Sequence, residues 1–138
     1  MSGRVMAFDF GLRHIGVAVG NRALKTSQPE AVLKARDGIP NWDEVAKIIE
    51  EWQPEILLVG LPLNMDGSAS DMSERAERFS RRLSGRFQRP VELVDERLSS
   101  REAKARAALQ GHRGDYQRAP IDDEAAAVIL SDWLAQQP

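Results

Sequence analysis

A short apolar run stopped by a carboxylate is the feature that most constrains this chain. Val5, Met6, Ala7 and Phe8 are continuously apolar, the pattern of a strand covered on both faces, and Asp9 interrupts them. The strand is read as Arg4 to Phe10. Gly11 and the Leu12–His14 segment then supply a turn, and Ile15 to Val19 resumes as a second strand, so the two form an antiparallel hairpin. A carboxylate at the end of a core strand is costly unless it is solvated, paired or bound to a cation. Taken alone, Asp9 is equally well explained as a turn-capping residue.

The remaining elements alternate. Pro29 to Ala35 reads as a third strand and Arg36–Pro40 as a turn. Asn41 caps a helix in which Trp42, Val45, Ile48, Ile49 and Trp52 recur at helical spacing, and Pro54 stops it. Glu55 to Val59 is a second continuously apolar run, read as a central parallel strand reached through that helical crossover. The loop Gly60–Gly67 (GLPLNMDG) leaves its carboxyl end, where α/β proteins bind ligands; it lacks the G-K-[ST] ending of a phosphate-binding P-loop. Ser70 or Asp71 caps a further helix, with Met72, Ala76, Phe79 and Leu83 on one face and Arg75, Arg78, Arg82 and Arg86 on another; Gly85 lies near its expected end. Val91–Val94 is a fifth strand that ends in Asp95-Glu96-Arg97, followed by a helix from Arg101 to Leu109, a loop over Gly111–Pro120 and a last helix from Ile121 to Gln136. This order predicts one α/β domain over residues 1–138, a central mixed five-stranded sheet flanked by helices.

Composition removes several classes of chemistry. The chain has no cysteine and two histidines, His14 and His112, which excludes thiolate metal sites and argues against an imidazole zinc site. No apolar run approaches the roughly 18 residues of a membrane span and no leader pattern opens the chain, so the expectation is a cytoplasmic protein without membrane contact. Net charge is −2, but it is unevenly spread. Residues Arg75 to Arg118 hold twelve Lys/Arg against six Asp/Glu, leaving seven basic and fifteen acidic residues elsewhere. A basic surface suited to a phosphate backbone is one reading, with Arg75, Arg78, Arg82, Arg97, Arg113 and Arg118 as candidate contacts; a solvated helix face is the other.

Acidic residues stand at three places that a mixed sheet can bring together: Asp9 ending the first strand, Asp95 and Glu96 ending the fifth, and Asp122 and Asp123 opening the last helix. Asp122 shares helical spacing with Ala126, Ile129 and Trp133, the stripe expected on the sheet. Each acid has an ordinary explanation, such as a helix N-terminus for Asp122 or a salt bridge for Glu96. Jointly, carboxylates without thiolate or imidazole describe a hard-cation site for Mg²⁺ or Mn²⁺. Two such ions about 4 Å apart suit phosphodiester hydrolysis.

Four blocks carry a resemblance to a known family: Asp9–Val19 (DFGLRHIGVAV), Val59–Gly67 (VGLPLNMDG), Val94–Ser99 (VDERLS) and Ile121–Leu130 (IDDEAAAVIL). Together they resemble the YqgF family, also called RuvX, of nucleases with the RNase H-like fold, and they span essentially the whole chain. The resemblance implies a mixed sheet with the first strand in the middle. It places the family's acidic positions on Asp9, Glu96 and Asp122. It also implies a divalent-metal nuclease acting in 5′-end maturation of pre-16S rRNA. The implied partners are precursor rRNA, branched DNA and ribosomal particles, and the implied state is a monomer or weak homodimer. Asn64, in the second block, is assigned to positioning a scissile phosphate or a metal-bound water. Two alternatives remain at this point: a Holliday junction resolvase, which relatives of the same fold include, and a non-catalytic RNA-binding ribosome-assembly factor. Carboxylates near phosphate weigh against a pure binder. An actin-like ATP site, suggested by Asp9-x-Gly11, needs two such domains.

Overall fold

The computed structural model describes residues 3–62, 66, 68–95 and 120–137, the side chains of 120–123 excepted. Strands are β1 (Arg4–Asp9), β2 (His14–Asn21), β3 (Thr26–Arg36), β4 (Ile39–Pro40), β5 (Ile56–Leu61) and β6 (Val91–Asp95). Helices are α1 (Trp42–Trp52), α2 (Asp71–Phe87) and α3 (Pro120–Ala135). The six strands form one sheet in the order β4-β3-β2-β1-β5-β6, with β1 antiparallel to β2 and parallel to β5, and β5 parallel to β6.

The apolar run of β1 is continuous because both faces of the strand are covered. Met6, Phe8 and Phe10 point to one side, joining Ile15, Val17, Val19, Leu57 and Val59 under α1 (Val45, Ile49) and α2 (Ala76, Phe79, Leu83). Val5 and Ala7 point to the other, joining Ala18, Ile56 and Leu58 under α3 (Ala126, Ile129, Leu130, Trp133). Period-two alternation therefore sorts one strand into two cores, and a parallel centre needs a helix on each side.

Helix ends follow local chemistry. The Asn41 side chain accepts a hydrogen bond from the Asp43 amide at 2.9 Å, and Gln53 closes α1 at φ 48°, ahead of Pro54. Ser70 and Ser73 form a reciprocal capping box on α2. That helix ends at Phe87, two residues past Gly85 and so near the glycine as expected, with Phe87 packed on the core and Gln88 as its C-cap.

The sheet has six strands where five were expected. The predicted turn over Arg36–Pro40 is real at Asp37 and Gly38, both at positive φ (52° and 81°), as a tight two-residue hairpin requires. Ile39 and Pro40 then pair back with Arg36 and Ala35 as an edge strand, where proline's missing N–H costs nothing. β3 begins at Thr26 rather than Pro29, since a bulge opposite Val17/Ala18 absorbs the proline within a longer strand. The last helix opens one residue earlier than expected, on Pro120 at a helical first position. The helix expected over Arg101–Leu109 and most of the Gly111–Pro120 loop lie outside the described residues.

Candidate active site and nucleic-acid interface

Three parallel strands finish at the same end of the sheet. Phe8 pairs with Val59 and Leu61 pairs with Asp95, so Asp9, the Gly60–Leu61 step and Asp95 all lie at the carboxyl ends of β1, β5 and β6. Asp9 is partly exposed there, on strand parity that gives it the α3 side of the sheet, the side of Val5 and Ala7. Its register partner on β2 is Gly16, and Gly60 follows the residue paired with Phe8 on β5. Both neighbours lack a side chain. Two paired strands keep the carboxylate in place.

Contacts along α3 fix the direction of the helix. Lys25 Nζ donates to the Leu134 and Gln137 carbonyls at 2.8 and 2.9 Å, and Arg22 stacks over the Trp133 ring at 5.3 Å, all near the amino end of β1. Further back along the helix, Ser27 Oγ donates to the Ala127 carbonyl at 2.8 Å. The first turn of α3, which contains Asp122 and Asp123, is therefore directed toward the end of the sheet that carries Asp9. The predicted stripe of Ala126, Ile129 and Trp133 does lie on the sheet. Glu124 adds a residue that sequence reasoning passed over: its Oε2 is buried without a hydrogen-bond partner among the described residues. The run Asp122-Asp123-Glu124 was its only signal in the sequence.

On β6, Glu92 faces α3, accepting a 2.6 Å hydrogen bond from Trp133 Nε1, and Val94 packs into the same core. Asp95 has the opposite parity. Glu96, Arg97, Arg113, Arg118 and Asn64 lie outside the described residues, as does the side chain of Asp122. Among the described residues no three acidic or imidazole groups meet as a metal cluster. The donors at hand are carboxylate oxygens, the chemistry that suits a hard cation. In the loop after β5, Asp66 Oδ1 accepts from the Ser68 amide and hydroxyl at 2.9 and 2.6 Å, and Ser70 Oγ donates to the Pro62 carbonyl at 2.8 Å, which ties the loop to the start of α2.

The predicted arginine stripe is exposed on α2. Arg75, Arg78 and Arg82 line a cleft of about 60 Å³ together with Phe10, Asp37, Gly38, Ile39 and Phe79. Arg86 differs, since its guanidinium lies over the Trp42 ring at 4.4 Å. Among the described residues no helix is long and apolar enough to cross a membrane.

This architecture defines the class. A mixed sheet with β1 between an antiparallel and a parallel neighbour, and helices on both faces, is the RNase H-like fold of the RuvC-type resolvases. RuvC of Thermus thermophilus, solved in complex with a Holliday junction substrate, matches with a TM-score of 0.59 at 15% identity, over 95% of this chain and 93% of that one. The fowlpox virus Holliday junction resolvase matches with a TM-score of 0.56 at 18% identity, over 97% and 99%. At these identities the likeness is one of fold.

Sequence gives the narrower answer. The model of a family described as "RuvX: Holliday junction resolvase" matches residues 3–136. A protein of Chromohalobacter salexigens named "Putative pre-16S rRNA nuclease" is 56% identical over 131 residues, covering 95% of this chain and 88% of that protein. Its namesake in Azotobacter vinelandii is 52% identical over 134 residues, covering 97% and 94%. The chain belongs to the RuvX family.

Proposed function

We propose that this protein is a divalent-metal-dependent nuclease that hydrolyses phosphodiester bonds in the cytoplasm, with the precursor at the 5′ end of 16S rRNA as substrate. One observation carries the reading: Asp9 ends β1 on the α3 side, flanked by glycines, and the acidic first turn of α3 is directed to the same end. Asp9, Glu96 and Asp122 are the proposed ligands of Mg²⁺ or Mn²⁺. Glu96 is preferred to Asp95 because Glu92 and Val94, four and two positions before it, face α3. Bound divalent cations supply charge stabilisation at the phosphoryl group and an activated water, the chemistry of paired ions in phosphodiester hydrolysis. The chain itself holds Asp9 at the end of a strand paired on both sides. Arg75, Arg78 and Arg82, with Arg97, Arg113 and Arg118, bind the substrate's phosphates, and Asn64 positions the scissile one.

The RNA substrate is preferred to a four-way DNA junction on weight of similarity. The relatives at 52–56% identity carry the rRNA-processing name, whereas the junction-bound structure stands at 15%. The family description supports the resolvase as second reading. The test is metal-dependent cleavage of both substrates by wild type and Asp9→Asn. Cutting of the RNA by wild type alone, with the variant unfolding at a wild-type temperature, is expected. Cutting of the junction alone moves the answer to the resolvase. Wild-type turnover by Asp9→Asn sinks the site, and cutting of neither substrate leaves a non-catalytic binder.

A further inference from the structure

Asp9 and the arginine cleft lie on opposite sides of the sheet. Asp9 has α3 parity, and the next residue, Phe10, belongs to the core under α2 and lines the cleft. We infer that the cleft between α2 and the β3–β4 turn seats one backbone phosphate of the nucleic-acid strand, distinct from the phosphodiester that is cut, and so sets the register of cleavage. This deepens the nuclease reading and rests on it.

Charge and rigidity point to that occupant. Arg75, Arg78 and Arg82 recur at helical spacing along one wall, and among the described residues Asp37 is the sole acid lining the cleft. Guanidinium groups suit phosphate oxygens because their donors form a planar fork. The floor is the Phe10–Phe79 pair, centroids 5.5 Å apart. The second wall is held firmly: the Gly38 amide donates to the Leu12 carbonyl at 2.9 Å, and a Cβ on Gly38 would come within 2.5 Å of the Phe10 ring. Ile39, exposed at the lip, offers apolar surface to the sugar of the same nucleotide. Asp37 opposes the anion, so the seat holds phosphate without holding it irreversibly.

The helix supplies its own controls. Arg81 is exposed on α2 but does not line the cleft, and Arg86 is engaged with Trp42. The experiment measures binding, in the absence of metal, of single-stranded precursor RNA carrying one neutral methylphosphonate at successive positions. In wild type, one phosphate other than the scissile one is expected to lower affinity about tenfold when neutralised, the worth of a charge-assisted contact. In Arg78→Ala that position becomes silent, and the slope of log affinity against log salt falls by about 0.7, the value for one contact on a single strand. Arg81→Ala keeps the wild-type pattern, and Asp37→Asn tightens binding. With metal added, Arg78→Ala spreads the cut over neighbouring bonds. Uniform sensitivity along the strand, or equal effects of Arg78→Ala and Arg81→Ala, overturns the seat while leaving the nuclease reading intact. Wild type that neither binds nor cuts any nucleic acid overturns both.

Discussion

Replacing Phe79 by alanine tests the packing that underlies the arginine cleft. Phe79 is 3% exposed, and its ring meets Phe8 edge-on at 5.7 Å, Phe10 at 5.5 Å and Trp42 in a stack at 5.8 Å. A buried Phe→Ala change costs about 3–5 kcal/mol. Three aromatic partners, each pair worth about 0.5–1.5 kcal/mol beyond its buried area, push the value above the lower bound, while the adjoining cleft lets the walls relax. We expect a loss of about 4 kcal/mol. For a chain of this length 1 kcal/mol moves Tm by about 3–4 °C, so Tm falls by about 12–16 °C. Urea unfolding followed by circular dichroism should show a lower midpoint at unchanged m. Phe79→Leu, which keeps most of the volume, should lose less than half as much. A loss under about 1 kcal/mol for Phe79→Ala, at wild-type m, would refute the claim that this ring anchors α2 to the sheet.

Two other changes act through the backbone. Gly85 sits inside α2 with nothing within 4 Å of an added Cβ, so Gly85→Ala should stabilise by about 0.5–1 kcal/mol in thermal unfolding, with cleavage unchanged. Gly38 has φ +81° and no room against Phe10; Gly38→Ala should cost about 2 kcal/mol or more and weaken RNA binding, read from the same melts and a binding titration.

How much could be read beforehand depended on where the deciding force was local. Continuous apolar runs revealed β1 and β5 because burial on both faces leaves no polar alternation to confuse them. Asn41 and Ser70 announced their helices because a cap is a side chain speaking to its own backbone. Gly85 placed the end of α2 to within two residues; the last residue, Phe87, packs on Trp42 and the core, a tertiary contact the local sequence does not show. The edge strand Ile39–Pro40 was hidden for the same reason: two residues carry no periodicity, and only the strand beside them makes them β. At the site, Asp9 was legible as a charge where burial was expected. That Asp9 and Phe10 serve opposite faces follows from strand parity, but which helix covers which face is a matter of topology. Glu124, lost in an acidic run, shows up only through its orphaned oxygen.

The two-sided sorting of β1 has a consequence for how this chain can change over time. Substituting one residue in the strand alters one core, but deleting or inserting one shifts every side chain to the wrong side at once. The carboxylate would then face α2, and the aromatic floor of the cleft would face α3. Length variation is therefore barred from Arg4–Phe10 even where composition is free to drift. The turn between β2 and β3, where Ala23 and Leu24 lie exposed and their amides rest on the Asn21 side chain at 2.9 and 3.1 Å, is where added residues can be absorbed. An insertion scan should find a sharp boundary between the two.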